Sequence, residues 1–193
     1  MSLILAISGP AAVGKTTICE RLISEFDGIL HRLVTVTTRE PRSCEIDGID
    51  YIFLNEKEFD MKVSLNCFLE HETIHGKKYG VLKEPILKAH KSNEDILLNI
   101  DVNGAASLRK FCQENSSLTG RLKTIFIKPK SIDDLRRRIK GRASESESQI
   151  NTRLSNAKAE IKREGEFDFV VVSNDRETDY LMIKKIYLSL RQR

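Results

Sequence analysis

Apolar stretches of strand length alternate along this chain with segments of helical period. Leu3–Ser8 reads as a strand and Thr16–Glu25 as the helix that follows it. A second strand is predicted at Leu33–Thr37, then an irregular basic loop and a short strand at Tyr51–Leu54. Asn55, with Glu58 three residues later, has the pattern of a capped helix start. Cys67–Ile74 followed by HGKKYG reads as a hairpin arm. Ile96–Asp101, Thr124–Lys128 and Phe169–Ser173 are further apolar strands, each preceding a helical pattern. Strand–helix alternation of this kind predicts an α/β fold, a parallel sheet flanked by helices. A polar, hairpin-rich insert at 34–82 interrupts it. The expected organisation is one domain: a core of 1–33, 83–130 and 165–193, the insert, and a helical segment at 131–164.

Composition adds little that the pattern lacks. With 193 residues, 40% hydrophobic and 31% charged, the chain is long enough to bury a real core. Its longest wholly apolar runs, such as Leu3–Ile7 and Phe169–Val172, are far too short to span a bilayer. Residues 1–8 hold no basic region, so no signal peptide is expected and a cytoplasmic location is predicted. Cys19, Cys44, Cys67 and Cys112 form no CxxC, which argues against a zinc site or a disulfide framework. A net charge of +4 describes a mildly basic surface and selects no partner.

The chemistry begins after the first strand. Gly9-Pro10-Ala11-Ala12-Val13-Gly14-Lys15-Thr16-Thr17 satisfies G-x-x-x-x-G-K-[ST] between a predicted strand and a predicted helix, the context that motif needs. Its glycines let backbone N–H groups converge on phosphate oxygens, and the helix N-terminus adds a favourable dipole. Lys15 is positioned to reach the β- and γ-phosphates and the Thr16 hydroxyl to ligate Mg²⁺, which points to a nucleoside triphosphate. The acceptor is not named by this loop. Further on, Arg39 and Arg42 stand three apart around a proline, and arginine suits a bidentate grip on a second phosphate as well as it suits a solvated loop. Tyr51 and Tyr79 offer hydroxyls or ring faces.

The order GPxxxGK, T-T-R-x-P-R, D-G-x-D-Y-x-F, F-L-E, Y-G, I-D-x-x-G, then K-G-R and I-x-x-R-L closely resembles the guanylate kinase family over essentially the whole chain. The resemblance implies a P-loop fold with a GMP-binding insert and a lid, and transfer of the γ-phosphoryl group of MgATP to GMP. It places Thr35, Arg39, Arg42, Tyr51, Glu70, Tyr79, Gly80, Val81 and Asp101 around GMP, with Arg39, Arg42, Tyr51 and Tyr79 on its phosphate. The base chemistry agrees. Guanine offers N1–H and its 2-amino group as adjacent donors, which carboxylates such as Glu70 and Asp101 accept, whereas adenine presents an acceptor at N1.

The segment RRRIKGR at 136–142 holds five positive charges in seven positions. Ile132, Leu135 and Ile139 form an apolar stripe flanked by Arg138 and Arg142, and Ile150, Leu154, Ala157 and Ile161 form another bordered by Arg153. A basic helix can contact nucleic acid, but the acidic SESES run follows directly and no aromatics interleave. Arg138, Arg142 and Arg153 match the arginines of the family's lid, so with Lys15 they are the expected catalytic cations. SESES itself, residues 144–148, reads as a mobile loop. None of His31, His71, His75 or His90 sits in a catalytic constellation, and an anionic phosphate acceptor requires no activated nucleophile. The expected partners are therefore ATP and GMP, with neither nucleic acid nor membrane.

Several positions depart from the family pattern. Ala11-Ala12 replaces Ser-Gly, Thr35 a serine, Val81 a hydroxyl residue near the guanine, and Asn99 an aspartate; Ser173-Asn174-Asp175 stands where Asn-Asp-Asp is usual. Three other readings compete. A regulatory GTPase has D-x-x-G at Asp101–Gly104 in its favour but lacks N-K-x-D. A non-catalytic protein-binding module of the same family is opposed by the intact Lys15 and Thr16. A kinase of another phosphorylated acceptor, such as a ribosyl bisphosphate, would not need Glu70 and Asp101 as base readers.

Overall fold

The computed structural model of the chain describes residues 2–74, 76–141 and 146–192. Five parallel strands form the main sheet: β1 (Ile4–Ser8), β2 (Leu30–Arg32), β7 (Asp95–Asn99), β8 (Leu122–Pro129) and β9 (Phe169–Ser173), in the order β2-β7-β1-β8-β9. Every residue of the central β1 is buried, which is why it reads as a continuous apolar run rather than an alternating one. One face packs on α1 (Lys15–Glu25) and α7 (Arg176–Arg191), with Leu22, Tyr180 and Ile183 against Leu5 and Ile7. The other packs on α3 (Lys83–Ser92) and α4 (Val102–Glu114), with Ile86, Ala105 and Leu108 against Ala6 and Leu98.

The insert builds a second sheet from β3 (Thr35–Thr37), β4 (Tyr51–Phe53), β5 (Phe68–Ile74) and β6 (Lys77–Leu82), ordered β4-β3-β6-β5. It has a small core of its own, Val36, Phe59, Phe68 and Leu82, in which Phe59 of α2 (Glu56–Ser64) stacks on Phe68 at 4.5 Å between centroids. Asn55 and Glu58 form the expected capping box at the start of α2. A Cβ on Gly80 would lie 2.6 Å from the Phe68 ring, so glycine is needed where β6 crosses that stack.

Three elements differ from the sequence reading. The strand predicted at Leu33–Thr37 is shorter, only Thr35–Thr37 forming β3, and it is preceded by a strand the sequence reading missed: β2 ends at Arg32 in the main sheet, and the chain crosses through Leu33 and Val34 to the second sheet. The strand predicted at Ile96–Asp101 stops at Asn99, because the Asp101 carboxylate turns back to accept from Gly104 N at 2.8 Å and caps α4. SESES is not all loop: Ser146 and Gln149 form a capping box that starts α6 (Glu147–Ile161), while Ser144 and Glu145 lie outside the described residues. Both basic-segment stripes do face inward. Leu135 and Ile139 of α5 (Ile132–Lys140), with Ile150, Leu154 and Ala157 of α6, join the same apolar cluster as β1 and α7. Among the described residues no helix is long and apolar enough to cross a membrane.

Candidate active site

The loop after β1 is shaped by backbone demands. Gly9 adopts φ +138°, and a Cβ there would stand 2.2 Å from the carbonyl oxygen of Ile127 on neighbouring β8. Gly14, at φ +103°, precedes α1 without any side-chain cap, and the first turn of α1 holds no acidic residue. Each of α4, α5, α6 and α7 instead begins with a side-chain oxygen on its N–H groups. The N–H groups and dipole of α1 are thus left to an external anion. Lys15 Nζ arches over the loop, donating to the carbonyls of Gly9 at 2.5 Å and Pro10 at 3.0 Å. Thr16 Oγ1 accepts from Asn99 Nδ2 at 3.4 Å, so the hydroxyl faces the end of β7.

Two clefts open on either side of this loop. The first, about 540 Å³, is lined by Thr35, Tyr51, Glu70, Tyr79, Gly80, Val81 and Asp101, seven of the nine residues expected around the acceptor nucleotide, and also by Asn99. The pairing of β5 with β6 shifts register between Phe68 and Glu70, and this bulge leaves Phe68 in the insert's core while Glu70 enters the cleft. Its carboxylate rests where α4 has no side chain: a Cβ on Gly104 would meet Glu70 Oε1 at 2.3 Å. Burial, then the neighbouring charges of Asp101 and Glu72, push the Glu70 carboxyl up to about 7. Val81 is buried in the apolar cluster under α4 and offers the cleft no hydroxyl.

The remaining two predicted residues stand outside that lining. Arg39 lies beside it, its guanidinium 5.4 Å from the centre of the Tyr51 ring. Glu45 holds it, accepting from Arg39 Nη2 at 2.8 Å and from Arg42 N at 2.8 Å. That ion pair, with Tyr79 as a second partner, raises the Arg39 pKa well above its ordinary value and lowers that of Glu45. Arg42 points outward with 74% of its side chain exposed, 4.0 Å from Glu45.

The second cleft, about 590 Å³, is lined by Val13, Gly14 and Thr17 of the loop and α1, by Arg138 of α5, and by Asn174 and Tyr180 beyond β9. Arg21 lies 3.7 Å over the Tyr180 ring and makes a two-pronged ion pair with Glu177, at 2.5 and 2.9 Å. Arg138 faces the cleft tied to Ser173 and Asn174. Arg153 is exposed on α6 and lines neither cleft, and Arg142 lies outside the described residues. Sequence reasoning met Gly104 only as the glycine of I-D-x-x-G, with no role attached, and passed over Glu45 and the Arg21–Glu177–Tyr180 group; of these, Glu45 had a local signal, three residues after Arg42 in the same loop.

A loop built for phosphate thus lies between two nucleotide-sized clefts, one of them carrying paired carboxylates. The guanylate kinase family model matches residues 1–189. The chain belongs to the guanylate kinase family. It is 38% identical over 172 residues to the guanylate kinase of Chlorobaculum tepidum, covering 89% of this chain and 85% of that one. To the guanylate kinase of Cereibacter sphaeroides it is 38% identical over 191 residues, 99% and 88% of the two chains. The crystal structure of guanylate kinase from Anaplasma phagocytophilum superposes with a TM-score of 0.72 at 28% identity, over 100% of this chain and 87% of that one. Membership in the guanylate kinase family, over the full core and insert, accords with the P-loop α/β architecture described above.

Proposed function

We propose that this protein is a nucleoside monophosphate kinase that transfers the γ-phosphoryl group of ATP to GMP, giving ADP and GDP. The observation that carries the reading is the carboxylate pair Glu70 and Asp101 in a cleft adjoining the phosphate loop. Acceptors at that spot suit the N1–H and 2-amino donors of guanine and repel the N1 lone pair of adenine. Arg39, held cationic by Glu45 beside Tyr51 and Tyr79, suits the acceptor's phosphate. ATP takes the other cleft with its phosphates on the uncapped N-terminus of α1. On binding, Lys15 exchanges the carbonyls of Gly9 and Pro10 for phosphate oxygens, and Arg138, Arg142 and Arg153 add positive charge from the α5–α6 lid.

The residues present suit Mg²⁺. Among the described residues no cluster of acidic, histidine or cysteine side chains could hold a metal alone, so the Thr16 hydroxyl would share it with phosphate oxygens, a hard all-oxygen set. When bound, Mg²⁺ supplies neutralisation of the charge that spreads over the moving phosphoryl group. The protein's own part is alignment: it holds two mutually repelling anions in line and excludes water as the lid closes. The free thiols of Cys19, Cys44, Cys67 and Cys112 accord with work in a reducing cytoplasm.

The test is ADP production from MgATP with GMP, AMP, CMP, UMP or no acceptor. Turnover with GMP alone, lost in EDTA and restored by Mg²⁺, is expected. Activity with none of the four overturns the reading, and equal activity with AMP overturns the role given to Glu70 and Asp101.

A further inference from the structure

We propose that Ser173 and Asp179 are positioning residues that orient Arg138 on the wall of the second cleft, and that through it they set the affinity for the nucleoside triphosphate. The inference rests on the assignment of that cleft to ATP. Ser173, the last residue of β9, is wholly buried, and Asp179, in the first turns of α7, is 3% exposed. Asp179 Oδ2 accepts from Ser173 Oγ at 2.7 Å and Oδ1 from Asn174 N at 2.7 Å. A serine hydroxyl has one proton, and here it is given to Asp179. The lone pairs of Oγ are thereby turned toward α5, where Arg138 Nη1 donates to them at 2.8 Å. Arg138 Nη2 reaches the Asn174 carbonyl at 3.1 Å, and Nε pairs with Asp134 at 2.8 Å. Three edges of the guanidinium are so fixed, from two separate elements.

This arrangement is expensive for what it contributes to folding. Among the described residues Asp179 makes no direct ion pair, and a buried carboxylate satisfied only by neutral donors gains little stability. Helix α5 does not need the tie, because Leu135 and Ile139 already anchor it in the main apolar cluster. What the chain Asp179–Ser173–Arg138 does supply is a fixed plane and a fixed charge for a guanidinium that lines the cleft beside Gly14 and Thr17. The bonds also have a direction. In Asp179→Asn one carboxylate oxygen becomes an NH₂. Whether it faces Ser173 Oγ or Asn174 N, one donor now meets another, or the hydroxyl reverses and aims its proton at Arg138.

The experiment measures ATP affinity by calorimetric titration, independently of any acceptor, together with kcat and the GMP Michaelis constant. Loss of one charge-assisted contact of this kind is expected to weaken ATP binding by about tenfold in Asp179→Asn and by severalfold in Ser173→Ala. GMP KM should stay within twofold, since the first cleft is untouched. In an Arg138→Ala background the same two substitutions should have no further effect on ATP affinity. Wild-type ATP affinity in both single variants overturns the proposal. So does an undiminished effect without Arg138, which would make the network merely structural; Ser173→Ala, the milder change, keeps that answer available if Asp179→Asn unfolds. A wild-type protein that binds ATP but phosphorylates no GMP would sink the proposed activity and leave this inference standing.

Discussion

The Michaelis constant for GMP should climb steeply below neutral pH, and Glu70 sets the curve. Its carboxyl, raised from 4.5 to about 7 by burial and then by Asp101 and Glu72, is close to half ionised at neutrality. Guanine needs the charged form, because N1–H and the 2-amino group both donate and a protonated carboxyl opposes them with a donor of its own. Each pH unit below the pKa removes about tenfold of the carboxylate, so KM near pH 6 should be about tenfold above its plateau at pH 8 and beyond. The phosphate of GMP titrates in the same range, with a second pKa of about 6. Glu70→Gln separates the two: it raises KM at every pH and leaves only the phosphate's dependence. Stability runs the other way. A folded pKa above the unfolded one contributes stability below the unfolded value that is lost as pH rises through about 7. Glu70→Gln should therefore raise the melting temperature of the free protein above neutrality, by a gain held to about 1 kcal/mol by partial exposure of the side chain. Identical pH profiles for GMP KM in wild type and Glu70→Gln would refute the reasoning, as would a flat wild-type profile between about pH 6 and 8.

Three further outcomes are expected. Lys15→Ala should leave GMP binding nearly intact while kcat falls by ~10²–10³, the cost of one lost contact to a developing charge; comparable turnover would remove Lys15 from the chemistry. Gly104→Ala introduces a Cβ 2.3 Å from Glu70 Oε1. The carboxylate must swing away, so GMP KM should rise about tenfold while ATP affinity is unchanged, and kinetics with each substrate varied in turn will show whether it does. Gly9→Ala drives a Cβ against the Ile127 carbonyl at a φ that side chains rarely adopt. Thermal melts should show a loss of about 1–3 kcal/mol and titration a loss of ATP binding, the loop having moved.

Much of the site was legible because its residues act locally. The loop from Gly9 to Thr17 announces itself through the G-x-x-x-x-G-K-[ST] pattern between a strand and a helix, and Asn55 with Glu58 marks a helix start within a single turn. The insert's strands were visible as short apolar runs, yet β2 (Leu30–Arg32) was missed, because whether so short a run joins a sheet, and which one, depends on partners far along the chain. Asp101 read as the end of a strand for a similar reason: its carboxylate caps α4, and propensity does not weigh that hydrogen bond.

The amino-acid order by itself determined the alternation of strands and helices and the phosphate loop, since both follow from periodicity and spacing within a few residues, while the residues offered to a second nucleotide were named through the resemblance to the guanylate kinase family. Tertiary structure alone decided which of those residues meet. It seats Glu70 against Gly104, turns Arg42 outward while Arg39 stays beside Tyr51, and brings Arg138 to Ser173, 35 residues away in sequence. Contacts of that kind depend on how the two sheets and the α5–α6 pair pack on one another. The carboxyl of Glu70 moves to about 7 for the same reason: burial and neighbouring charge are properties of the packed chain, not of the residue.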